Sequence, residues 1–176
     1  MEALDRADLI GKLLQVPSRK AGKEDLLLVH EAQYLALAER EIAAGELQLS
    51  TGDTTIGKAS WDVALTAVGS GLSAVDAVIQ GKADNAFCVV RPPGHHATPD
   101  RGMGFCVLNN IAIAARHAQR RHKVGRVLIV DWDVHHGNGT QDTFYTDGSV
   151  FFFSTHQSPW YPGTGRADET GAGKGK

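Results

Sequence analysis

VLIVDWDVHHGNG, residues 127–139, runs four apolar, β-favouring residues straight into acids, histidines and glycines. Val127 to Val130 carry no polar alternation, the pattern of a central parallel strand covered on both faces. Asp131, Asp133 and His135 then recur with a period of two, so an extended backbone projects them to one side. Two carboxylates and an imidazole thus meet at the C-terminal end of a strand, the edge at which open α/β sheets place ligands. Gly137 and Gly139 let the chain turn sharply beside that edge.

The 176 residues around this stretch suit one domain with a real core, since 42% of them are hydrophobic. A formal charge of −2 with both signs interspersed provides no basic face for nucleic acid and no polybasic patch for a membrane. The opening MEALDRADLI lacks the cationic and apolar regions of a signal peptide, and no run is read as reaching the roughly 18 apolar residues of a spanning helix. The expectation is a soluble, cytoplasmic protein, with a nuclear location open if the source is eukaryotic. Cys88 and Cys106 form no CxxC pair and read as small buried core residues.

Working outward, helical spacing predicts helices over 2–14, over 31–44 with a stop at Gly45, and over 60–80 with Ser60 as N-cap. The polar stretch 50–59 reads as loop. Ala86 to Val90 reads as a second buried strand that the Pro-Pro-Gly of 92–94 stops at once. Asn109 or Asn110 can cap a helix to about Arg121, a short helix is expected over 140–145, and Val150 to Ser154 reads as a third strand. Strands alternating with helices imply parallel, right-handed crossovers, so all three strand ends share one rim. The tail from Gly163 holds no apolar residue larger than alanine and is expected to be irregular.

Asp133 and His135 are the leading metal-ligand candidates, because a carboxylate and an imidazole two apart on a strand end can share one divalent ion. Zinc is the first choice, with iron(II) or cobalt compatible. Asp131, nearer the buried strand, is better placed to orient a histidine. His95 and His96 follow a rigid turn on the same rim and can divide general-base and general-acid duties. His156 also ends a rim strand and is open as a third ligand; His117 and His122 read as solvated surface. Phe105, Trp160 and Tyr161 fit either core packing or the walls of an apolar channel. Nucleophile-elbow and phosphate-loop patterns are absent from the sequence.

RPPGHHA, GMGFC, NN-IA, VDWDVHHGNGT and YPGTGR, in this order and spacing, resemble the histone deacetylase family, in particular its class II and bacterial deacetylase-like amidohydrolases. The resemblance covers nearly the whole chain. It implies the arginase/deacetylase fold, a three-layer α/β arrangement with helices on both faces of a parallel sheet, and zinc-dependent removal of an acetyl group from an amine. By motif position, Asp133 and His135 look like zinc ligands and His95 and His96 like the active-site pair. Asp131 would pair with His95, and Asn138 with His96. Gly104, Phe105 and Tyr161 look like parts of the substrate channel, and Asp131, Ser154 and Thr155, with the backbone at Asp133 and His135, resemble a structural potassium site. The implied partners are acetylated proteins, histones among them, or small acetylated amines.

The resemblance also implies a continuation past YPGTGR that supplies a third ligand, an Asp, and a carbonyl-polarising Tyr, together with an opening strand ahead of the first helix. Residues 1–176 are therefore expected to be part of a deacetylase catalytic domain with incomplete machinery. A non-catalytic acyl-lysine-binding protein, or an inactive fragment, is the alternative. An arginase-like dimanganese site is disfavoured, because no further carboxylate follows His135 within the motif.

Overall fold

Six α-helices, two short 3-10 turns and two strands occur among residues 2–175, which the computed structural model describes. The α-helices and strands are α1 (Glu2–Arg6), α2 (Lys23–Leu26), α3 (Ala32–Ala44), α4 (Ser60–Ile79), α5 (Asn110–His122), β1 (Val127–Asp131), α6 (Asn138–Phe144) and β2 (Val150–Ser154). The strands pair in parallel, with Val127 opposite Val150 and Asp131 opposite Ser154, and α6 lies in the crossover between them. The expected α/β class therefore holds.

Alternation along the strands sorts the side chains. Ile129 and Val150 are buried against Ala112 and Ala115 of α5 and Phe144 of α6. Leu128 (62% exposed) and Phe151 (68%) stand opposite each other on the other face, as do the exposed Val130 and Phe153. Double coverage of β1, expected from its unbroken apolar run, is thus corrected: among the described residues, helices cover one face.

The expected strand at Ala86–Val90 is also corrected, since that segment is irregular and Phe87 and Val89 are exposed. A β-strand exists only where a neighbour takes its backbone hydrogen bonds, and here a cavity of about 690 Å³, walled by Ala86, Cys88, Val90, α4, α5 and Leu128, lies on that side. Cys88 is accordingly exposed rather than core, whereas Cys106 is buried. The N-terminal helix stops at Arg6 because Asp8 adopts φ 52°, and Leu9, Leu13 and Leu14 meet no core.

Most of the apolar core is helical: Leu35 and Ile42 of α3, Val68 and Leu72 of α4 and Ile113 of α5 pack with Leu26, Leu49, Val107 and Leu108. Gly45 ends α3 at φ 81°, as its left-handed stop predicts. Ala59, not Ser60, precedes α4, and the Ser60 hydroxyl instead accepts from the Gly57 N–H at 2.9 Å. By length and composition α4 could cross a membrane, with a mean hydropathy of 1.4, which corrects the reading that no run is apolar enough. Its Ala64, Val68 and Leu72 are nonetheless buried against the other helices.

A histidine the sequence does not advertise ties this core to the rim. The His30 Nε2 accepts from the Asn109 N–H at 2.9 Å, so its Nδ1 carries the proton and donates to the Thr98 carbonyl at 3.0 Å. Burial pushes the ring down from 6.5 to about 4, against the raising effect of the carbonyl partners. Between those values the unfolded chain binds the extra proton, so stability falls as pH falls from 6.5 toward 4. The full loss is about 3 kcal/mol for this group. Denaturant melts between pH 7 and 4 are expected to show the slope, and His30→Gln to remove this residue's share. An unchanged slope in that variant would assign the effect elsewhere.

Candidate functional site

Two segments meet at the rim: the turn after residues 86–90, and the loop that carries β1 into α6. Their meeting is set by Asn109, fully buried before α5, whose Oδ1 accepts from the Ala112 N–H at 3.1 Å and caps the helix. Its Nδ2 donates to the Ala97 carbonyl at 3.0 Å and the Thr140 hydroxyl at 3.3 Å, fixing the turn and α6 to one point. The Thr140 N–H donates to the His95 carbonyl at 3.2 Å. Gly139 makes the contact possible, because a Cβ there would run into the backbone of His96 and Ala97.

This arrangement brings four of the sequence candidates into two pairs. His95 Nδ1 donates to Asp131 Oδ2 at 2.8 Å, and His96 Nδ1 donates to Asn138 Oδ1 at 2.8 Å. In the neutral tautomers each Nε2 then carries the lone pair, and neither has a hydrogen-bond partner among the described residues. The two rings lie 4.0 Å apart. Burial, then the neighbouring His95, pushes His96 down to about 4, so its Nε2 is a free base at neutral pH.

Asp133 and His135 lie past the end of β1, where the chain leaves the extended conformation. The Asp133 Oδ1 accepts from the His135 N–H at 2.8 Å and stands 3.1 Å from His135 Nδ1. Burial raises the Asp133 carboxyl, but the amide and ring of His135 and the charge of His95 outweigh it, leaving the group below its usual range and ionised. A tetrahedral ion with bonds of about 2.0–2.2 Å has ligand edges of roughly 3.4 Å. An edge of 3.1 Å therefore fits two corners of such an ion. His95 Nε2 lies 3.9 Å from the same oxygen, and a cavity of about 370 Å³ lined by His95, Asp131, Trp132 and Asp133 opens beside it.

His156, left open as a third ligand, is corrected. Its Nδ1 meets the Ser154 hydroxyl at 2.9 Å and its Nε2 the Gly165 carbonyl at 3.0 Å, so both nitrogens are occupied. Ser154 is opposite Asp131 in the ladder, and the Thr155 N–H donates to the Asp131 carbonyl at 3.0 Å, which places the suggested cation-binding groups side by side. His117 and His122 are not solvated surface: His117 is buried, and both rings hold Asp76 of α4.

At the mouth, Gly104 (φ 58°) packs on the His96 ring, and Phe105 (φ 64°) stands exposed. The Tyr161 ring meets His96 edge-on at 5.0 Å, and Trp160 stacks on His135 at 6.4 Å. Sequence reasoning missed Asp53, which accepts from the Gly104 N–H at 2.7 Å and the Tyr161 hydroxyl at 3.3 Å. It also missed His136, buried between the Thr164 hydroxyl and the Gln141 amide oxygen. Neither carried a signal: Asp53 lies in a polar loop, and His136 stood in the shadow of His135.

The histone deacetylase domain profile matches residues 1–176. A histone deacetylase-like amidohydrolase of Pseudomonas aeruginosa is 43% identical over 98% of this chain and 46% of its own length. The polyamine deacetylase HDAC10 of Homo sapiens is 40% identical over 99% of this chain and 28% of its own. The chloroplastic histone deacetylase 10 of Oryza sativa is 41% identical over 100% and 43%, respectively. The crystal structure of the HDA15 HD domain superposes with a TM-score of 0.93 at 38% identity, covering 99% of this chain and 52% of that one. The chain thus spans about half the length, or less, of these relatives.

Proposed function

This chain belongs to the histone deacetylase family, and from that premise we propose that it forms the metal-holding and proton-transferring part of a hydrolase that cleaves an N-acetyl amide. One observation carries the reading: both rim histidines are anchored through Nδ1, so two free Nε2 atoms face the rim beside Asp133 and His135. The residues suit a zinc ion held by Asp133 and His135, which when bound would supply Lewis acidity toward a carbonyl and an attacking water. The strand end at Asp131, Ser154 and Thr155 suits a potassium ion that stiffens it.

The chain's own residues divide the work by their surroundings. Neutral His96 takes a proton from water at Nε2, while Asn138 holds its ring without adding charge. His95, its Nδ1 held by the Asp131 carboxylate and its ring 4.0 Å from His96, passes that proton on from Nε2 to the departing amine. Phe105 and Tyr161 line the approach of an acylated aliphatic chain. The substrate is an acetyl-lysine of a protein or a small acetylated amine, the relatives being named for both histone and polyamine deacetylation.

The test is hydrolysis of a fluorogenic acetyl-lysine peptide and of an acetylated polyamine, before and after chelation. Activity lost to chelator and restored by zinc supports the proposal; acyl-peptide binding without turnover in protein that holds its metal would favour a binding protein instead. Replacing Asn138 by Asp places a carboxylate beside His96 Nδ1, where it favours the protonated ring. The His96 pKa, now about 4, then rises by about 1–3 units, and the acid limb of the rate profile moves to higher pH by the same amount. An unmoved limb would remove His96 from the proton-transfer role.

A further inference from the structure

Away from the rim, the C-terminal turns of α4 and α5 converge on one carboxylate. Asp76 Oδ1 accepts from His117 Nε2 at 2.7 Å and from His122 Nε2 at 2.6 Å, and one ligand atom of each residue lies within 4.8 Å of the others. Among the described residues these imidazoles are the only ion-pair partners of Asp76. His122 ends α5, about 20 Å along the helix from the Asn109 cap, so the cluster is remote from Asp133 and His135. We propose that Asp76, His117 and His122 form a second, separate site for a divalent transition ion of the zinc class, with solvent completing the coordination.

Three features favour an ion here over a bare hydrogen-bonded cluster. The donors are two imidazoles and a carboxylate, a set that zinc, cobalt(II) and iron(II) accept and that magnesium or calcium does not prefer. Asp76 sits in the last turn of its helix, where the dipole disfavours an anion and no Lys or Arg offsets it, so a cation there meets the carboxylate and the helix end together. Asp76 also borders an open cavity of about 360 Å³, which gives ion and water a way in. Burial raises the Asp76 carboxyl, but hydrogen bonds and charge from His117 and His122 outweigh it, so the group stays ionised as a ligand must.

Binding needs little movement. Ligand edges of roughly 3.4 Å around a zinc-sized ion exceed the Asp76–His117 and Asp76–His122 separations of 2.7 and 2.6 Å by about 0.7–0.8 Å. His122 is the final helical residue, followed by Lys123 at φ 61°, and Asp76 is half-buried, so side-chain rotation suffices while buried His117 stays fixed. Each ring presents its Nε2 lone pair to the ion with its one remaining proton on Nδ1, and a ring that starts as imidazolium releases its second proton to solvent as the ion binds. An ion held there would staple α4 to α5, two of the helices that build the core.

The experiment uses the chain carrying Asp133→Ala and His135→Ala, which removes the proposed rim ligands, and titrates it with cobalt(II) followed by visible absorption, ions that stay when Asp76 or His122 is replaced being assigned elsewhere. One ion per chain is expected, with affinity at least tenfold weaker on adding Asp76→Asn or His122→Ala, and with a zinc-dependent rise in Tm that those additions abolish. No bound ion at tens of micromolar cobalt, or undiminished binding in both variants, would overturn the site. Should Asp76→Asn fail to fold, His122→Ala at the helix end decides alone.

Discussion

In the proposed hydrolase, alanine at His96 is expected to slow acetyl-amide hydrolysis by about 10²–10⁴-fold without displacing an ion held by Asp133 and His135. The reasoning starts from the ring's two nitrogens. Nδ1 is committed to Asn138 at 2.8 Å, so the substitution removes one free base, Nε2, and no candidate ligand atom. The loss should fall on turnover more than on KM, because in the proposed mechanism the ring acts on a proton in transit. Turnover of a fluorogenic acetyl-lysine peptide, with metal measured by elemental analysis on the same preparation, is the readout. Near-normal turnover would leave the site to work through the ion and His95 alone, and the assignment of His96 would be wrong.

Asp133→Ala is expected to remove both activity and rim metal, with ion affinity falling by about 100-fold or more. In the proposed rim site Asp133 Oδ1 and His135 Nδ1, 3.1 Å apart, would supply adjoining corners, and a single imidazole would not replace the pair. The carboxylate also accepts the His135 N–H, so its loss frees the loop that aims the surviving ligand. Asp133→Asn separates these effects, since an amide keeps the loop bond yet donates no charge to an ion. Metal is counted with Asp76→Asn alongside, so that the α4–α5 cluster does not contribute. A rim ion retained in Asp133→Ala would sink the ligand assignment.

The grouping of the rim residues was more legible than their surroundings, and the reason is range. Asp131, Asp133, His135 and Asn138 lie within one stretch, so a local pattern sufficed to group them, and His95 and His96 follow a rigid turn that announces itself. Tertiary partnership was not visible in the same way. Ala86 to Val90 has the composition of a strand, yet a strand is a relation between two segments, and no local rule says that a cavity flanks this one. His117 and His122 looked like surface because their neighbours are arginines; Asp76, which draws them inward, is some forty residues earlier on another helix. The unbroken apolar run of β1 correctly signalled burial for Ile129 and misled for Leu128 and Val130.

That one-sided strand pair has a kinetic consequence. His95 and His96 hang from the large helical core through Asn109, whereas Asp133 and His135 hang from β1, whose own core is the small cluster of Ala112, Ala115, Ile129, Phe144 and Val150. Local opening free energy scales with what an element buries, so the β1–β2 amides should exchange with solvent deuterium sooner than those of α4 and α5. The two halves of the rim would then open at different rates and re-register through the His95–Asp131 and His96–Asn138 bonds. A substitution on the uncovered face, at Leu128 or Phe151, could thereby change how long the halves stay aligned without touching any group that handles a proton or an ion.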